Sequence, residues 1–120
     1  MLSKSEAAYV AGLEPAVVER AIDRARFARP YIERRPRGWT ISPQAVLIIA
    51  ADQLLAKDVA AAVRTKLRRH LEAELLQKPV EAMGVVIVPE TFLPLKVDLT
   101  HVAGSIVTRL RARSGPEKYR

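Results

Sequence analysis

The sequence predicts a mainly α-helical protein with small β elements, on the strength of three observations. Helix-start signals precede most of the apolar runs: Ser3 with Glu6 three residues on, Pro15, the pair Ser42-Pro43, and Thr100. Apolar residues recur at helical spacing, as at Val59, Val63, Leu67, Leu71 and Leu75. The β-prone stretches are short and confined to "YIERRPRGWTI" and to the segment after Pro79.

Composition narrows the class. A chain of 120 residues favours one domain, or one small domain with an appendage. Apolar residues make up 49% of it, enough for a real core, but aromatics are scarce, so that core is built from Ala, Val, Leu and Ile. A net charge of +7 favours polyanionic partners, nucleic acid first and an acidic membrane second, with solubility as the plain alternative. The absence of Cys removes disulfides, thiolate nucleophiles and thiolate metal sites together. The N-terminus "MLSKSEAA" has no charged leader followed by an apolar core, so no signal peptide is expected and a cytoplasmic location is. The longest apolar run, Ala45 to Ala51, is far too short to span a bilayer.

Taken in order, a first helix runs from the Ser3 cap to about Ala11, and a second from Pro15 to about Ala25, with Pro30 preventing its continuation. Tyr31 to Glu33 and Trp39 to Ile41 are β-prone pieces flanking Arg34 to Gly38, where Pro36 and Gly38 are turn residues; together they predict a hairpin. Periodicity alone does not separate helix from buried strand in "QAVLIIAADQLLA", but the Ser-Pro start and the length favour helix. A break near Lys57-Asp58 follows, with Asp58 able to cap the next helix, whose Arg64, Arg68 and Glu72 lie off the Val59-to-Leu75 stripe. Gly84 to Val88 and "FLPLKVDL" predict strands, the second with Leu93, Leu95, Val97 and Leu99 on one face. Thr100 caps a last helix that turns Val102, Ile106 and Leu110 inward and carries Arg109, Arg111 and Arg113 near its C-terminal end, where cations suit the helix dipole. The expected division is residues 1–56, residues 57–113 as a helical and β dimerisation extension, and a linker-like tail at 114–120.

The stretch from Ser3 to Pro30 carries the functional reading. Two helices crossing through a short turn need a small residue where they meet and a residue tolerant of positive φ in the turn. Ala8 and Gly12, four apart, supply these, and Ala7, Ala11, Leu13, Val18 and Ala21 are apolar where such a pair must lock. A helix-turn-helix is therefore expected. The hairpin that follows is then a wing whose tip, with Arg34, Arg35 and Arg37, suits phosphate or minor-groove contact; a solvated basic turn is the plain alternative.

With Val18, Ala21 and Ile22 inward, the second helix presents Ala16, Arg20 and Asp23, flanked by Glu19 and Arg24. Arg20 can reach guanine edges, and Arg24 or Arg26 phosphate. Glu14, Glu19 and Asp23 repel phosphates, which lowers affinity per copy and keeps a protein-binding role for the same fold open. A homodimer would double the contacts and fix half-site spacing. The stripe from Val59 to Leu75 can pack on the first domain or on a second copy, and the two later strands offer sheet edges. The cluster Arg64, Lys66, Arg68, Arg69 and His70 is expected to be a solvated helix face.

Neither catalysis nor metal binding is expected. His70 and His101 lack ligand spacing, Ser and Thr lack a His-Asp set, Asp98 is a strand-end residue, and Gly12, Gly38, Gly84, Gly104 and Gly115 form no phosphate loop. A small-molecule effector would need a pocket, for which Ile48, Leu55 and Val63 are the candidates.

The order of parts, "KSEAAYVAGLEPAVVERAI", a basic hairpin ending "GWTIS", then an apolar helix, resembles a MerR-like winged helix-turn-helix. The later "LPLKVDLTHVAGSIVTRLRAR" resembles the strand-and-helix segment of VapB-type antitoxins of type II toxin–antitoxin systems. The resemblance covers nearly the whole chain through soft patterns. It implies an operator-binding autorepressor that neutralises a toxin, typically a PIN-domain ribonuclease. It also implies a second small domain beyond the tail; were toxin capture to reside there, the present residues would keep DNA binding and dimerisation. The lack of Cys departs from the Cys-based effector sites of many MerR-type activators.

Overall fold

The helix-start signals set the element boundaries in the computed structural model, which describes residues 2–25, 32–35, 38–89 and 94–113. Ser3 and Glu6 form a reciprocal capping box: the Glu6 amide donates to Ser3 Oγ at 3.2 Å and the Ser3 amide to Glu6 Oε1 at 2.9 Å. They open α1, Lys4–Ala11. Helix α2, Pro15–Ala25, begins with proline at its first position, where the missing N–H has no helical partner to lose.

Strands β1 (Ile32–Arg35) and β2 (Gly38–Ile41) pair antiparallel, with Ile32 opposite Ile41 and Arg35 opposite Gly38. Strand β1 thus runs further than the β-prone piece suggests, and Arg34 and Arg35 belong to the strand, not to the turn after it. Tyr31, Pro36 and Arg37 lie outside the described residues. Gly38 has a φ of +122°, a conformation closed to residues with a Cβ. A feature the sequence did not announce ties the hairpin down: the Leu2 and Ile41 backbones exchange hydrogen bonds of 2.8 and 2.7 Å, with both side chains buried.

Helix α3, Pro43–Leu55, starts where Ser42 Oγ accepts from the Ala45 amide at 3.1 Å. Every residue from Ala45 to Ala51 is buried, because α1, α4 and α5 all pack on this helix. A helix apolar all round has to be wrapped by others, which explains why periodicity was uninformative there.

Helix α4, Ala61–Leu75, follows the expected break, but Asp58 does not cap it: Ala60 holds the cap position with no side-chain hydrogen bond. Leu67, Leu71 and Leu75 are fully buried, while Val59 and Val63 are half-buried. The stripe packs within its own chain. A 3-10 turn at Val80–Ala82 follows Pro79, which no sequence signal marked.

Strands β3 (Val85–Val88) and β4 (Leu95–Asp98) form a second antiparallel hairpin with Val86 opposite Val97. Val86, Val88 and Val97 turn inward, and Val85 and Ile87 are exposed. Leu93 lies outside the described residues. Helix α5, Thr100–Arg113, is capped differently from expectation: Thr100 is its first residue, and Asp98 Oδ1 accepts from the Thr100 amide at 3.0 Å. Ile106 and Ala103 are buried, and Val102, Val107 and Leu110 pack on the core from its edge. The buried side chains form one continuous cluster drawn from every helix and both hairpins.

The Asp98 cap carries a pH prediction. Hydrogen bonds from the Thr100 hydroxyl and amide, with the Lys96 charge, hold the Asp98 carboxyl below its ordinary range. A depressed folded-state value means the contribution is complete above the unfolded value of about 4 and disappears as pH falls through the folded one. Asp98→Asn is therefore expected to flatten the acid limb of the stability curve below about pH 4, read from urea midpoints across pH. An unchanged limb refutes the role.

Candidate nucleic-acid interface

The corner between α1 and α2 follows from one glycine. Gly12 has φ +72° and ψ +33°, and its amide donates to Tyr9 O at 3.2 Å while the Leu13 amide donates to Ala8 O at 3.0 Å. This is the Schellman arrangement, in which a left-handed residue lets the chain satisfy the last carbonyls of a helix and turn away. Ala8, 2% exposed, is both the acceptor of the bond from Leu13 and the small residue beneath the turn.

A second demand on Gly12 comes from far along the chain. Arg109 of α5 donates through Nη1 to Val10 O at 3.3 Å, and its guanidinium lies over Gly12, so that a Cβ there would sit 2.5 Å from Nη1. Arg109 thus serves the C-terminal end of α1, although the sequence placed it with Arg111 and Arg113 near the end of its own helix.

On α2, Val18 and Ile22 are buried and Ala21 is half-buried against the core, as the locking set requires. The opposite face exposes Ala16, Glu19, Arg20 and Asp23. Lys4 Nζ sits 3.4 Å from Glu19 Oε1, so one of the carboxylates that would repel a phosphate is partly neutralised from α1. Arg24 occupies the last turn of α2, and Arg34 and Arg35 lie on β1. Arg26 and Arg37 lie outside the described residues.

The α4 arginines depart from expectation. Arg64 and Arg68 are half-buried and line a cleft of about 480 Å³ between α2, α3 and α4, together with Arg20. Arg64 Nη1 donates to Asp52 Oδ2 at 3.1 Å and its Nε to Val59 O at 3.1 Å. They are not part of a solvated face. The one hint in the sequence was Asp52, the single charged residue of a largely apolar helix, which calls for a cation from a neighbouring element. Of the three residues suggested for a pocket, Ile48 lines this cleft; Leu55 and Val63 do not.

His70 Nε2 stands 3.5 Å from Glu74 Oε1 within α4, and His101 is exposed. Among the described residues no group of three or more His, Asp or Glu side chains is placed to hold a metal ion. Among them, too, no helix is long and apolar enough to cross a membrane. Comparison with known proteins adds no family to these observations: no family model matches the chain, and no curated protein or solved structure is significantly similar to it.

Proposed function

We propose that this chain is a winged helix-turn-helix protein that binds its own operator as a homodimer, represses transcription there, and serves as the antitoxin of a type II toxin–antitoxin pair. The observation that carries the DNA-binding part is the corner at Gly12, which leaves the face of α2 bearing Ala16 and Arg20 exposed while Val18 and Ile22 are buried. The hairpin after α2 supports it, since β1 carries Arg34 and Arg35 and Leu2 fixes β2 to the body. In this reading Arg20 reads base edges in the major groove, Arg24 and Arg26 meet phosphates, and Arg34, Arg35 and Arg37 hold the adjacent backbone or minor groove. The antitoxin role, with a PIN-domain ribonuclease as toxin partner, rests on the resemblance of the sequence to VapB-type antitoxins.

Two substitutions test the interface by fluorescence anisotropy on the DNA upstream of the gene. Arg20→Ala is expected to relax specificity, with a loss of about 1–3 kcal/mol on the preferred site. Arg35→Ala is expected to weaken binding to all sequences and lower the slope of log K against log salt by roughly 1. If both leave affinity unchanged, the DNA face is wrongly assigned.

A protein-binding role is favoured by a different observation: Asp23, on the same helix as Arg20, and Glu14, just before that helix, are both exposed. Co-purification with the neighbouring gene product, without any DNA shift, would select that reading.

A further inference from the structure

The cleft between α2, α3 and α4 brings Arg20, from the exposed face of α2, together with two arginines of α4 that the DNA-binding reading does not use. Its lining combines Arg20, Arg64 and Arg68 with a single carboxylate, Asp52, and with an apolar wall that includes Val17, Ile48 and Ile49. Asp52 is already matched by Arg64 at 3.1 Å. Three arginines set against Asp52 and against Glu72, which stands 3.9 Å from Arg68, leave a net positive charge at the cleft. Arg68 Nε is buried and accepted by no atom of the described residues, since Glu72 Oε1 stands off at 3.9 Å, beyond hydrogen-bond reach. A buried donor of this kind carries a standing penalty, and the rest of the Arg68 side chain keeps part of its surface open and lines the cleft. The volume, about 480 Å³, lies in the range of small-molecule sites, which pair an apolar wall with a few polar anchors.

We propose that this cleft binds a small organic anion, a phosphate or carboxylate on a flat apolar body, with Arg68 and Arg20 holding the charge and Ile48 and Ile49 the body. Arg20 belongs both to the cleft and to the exposed face of α2, so an occupied cleft withdraws it from a duplex. The ligand and DNA then antagonise each other by the same factor in both directions. That coupling rests on the DNA-binding reading above; the cleft site itself does not.

The experiment is a titration of the intact chain, followed by two-dimensional NMR at fixed ionic strength, with phenyl phosphate and phenylacetate, and with inorganic phosphate and benzyl alcohol as the isolated halves. At least one of the aromatic anions is expected to bind one-to-one and at least tenfold more tightly than either half, with shifts centred on Ile48, Ile49 and Arg68; which of the two binds more tightly identifies the head group. Arg68→Met is expected to weaken it at least tenfold. Ala61→Phe, at an exposed position on the cleft rim, is expected to block it without disturbing the core, and serves if Arg68→Met does not fold. Arg111→Gln, at an exposed position on α5, is expected to change nothing. Both aromatic anions binding no better than inorganic phosphate, or binding that Ala61→Phe leaves intact, overturns the site. Saturating the tighter anion is expected to lower operator affinity several-fold at constant ionic strength. Unaltered operator affinity overturns the coupling and leaves the site standing. Failure to bind DNA at all rejects the DNA-binding reading, while the ligand titration still decides the cleft.

Discussion

Leu71→Ala is expected to lower the stability of the chain by about 2–5 kcal/mol, whatever the protein concentration. Leu71 is completely buried at the middle of the α4 stripe, within the cluster that includes α3 and α5. Truncation removes the transfer free energy of the lost carbons and leaves a cavity that helices fixed on several sides close only in part. For a domain with typical stability of roughly 5–15 kcal/mol, that is a large share. Leu76 provides the contrast: it is 63% exposed, and Leu76→Ala is expected to fall within about 0.5 kcal/mol of the parent. Urea unfolding at two protein concentrations a decade apart makes the measurement. A loss for Leu71→Ala that grows on dilution would mean that the stripe is a seam between subunits, contrary to its burial within one chain.

Gly12→Ala is expected to cost about 2–4 kcal/mol, from two sources of different kind. A residue with a Cβ in the left-handed region loses roughly 1–2 kcal/mol against glycine. The new methyl also meets the Arg109 guanidinium. That group is the end of a flexible side chain and can swing aside, so the collision itself is cheap. What it forfeits is the hydrogen bond to Val10 O, for which a charged donor gives about 1.5–3 kcal/mol when well enclosed and less at this half-buried site. Arg109→Met separates the two. In that background Gly12→Ala should retain the backbone cost and lose the rest, giving a coupling of about 1 kcal/mol or more in a double-mutant cycle. Strict additivity would show that Arg109 does not depend on Gly12. In either background the α1–α2 corner is strained, so under the proposed DNA-binding function operator binding is expected to weaken along with stability.

Much of the fold was legible because its determinants are local. Ser3 with Glu6, Pro15 and Ser42-Pro43 each act within a single helical turn, and α1, α2 and α3 begin where these residues place them. The alternation in "LKVDL" and the β-branched run before it gave β3 and β4. Where two local signals competed, the nearer geometry won: Asp98, not Thr100, receives the first amide of α5, because a carboxylate two residues back reaches it in an Asx-type arrangement. The α2 face was legible for the same reason, since burying Val18 and Ile22 leaves Ala16 and Arg20 outward by helical periodicity alone. The fate of Arg64 and Arg68 was not legible, because a charged residue off an apolar stripe looks solvated until the neighbouring helix that covers it is known.

The sequence by itself determined the helices, the caps of α1 and α3, the left-handed Gly12 and the excess of positive charge, since each of these local features depends on the residues themselves or on neighbours a few positions apart. Only the tertiary structure decided that Arg109 would cross to the end of α1, that Leu2 would anchor the first hairpin, and that Arg20 would share a cleft with Arg64 and Arg68. Those pairings join residues far apart in the chain, and such contacts exist only once α3 has been wrapped and the helix directions around it are fixed.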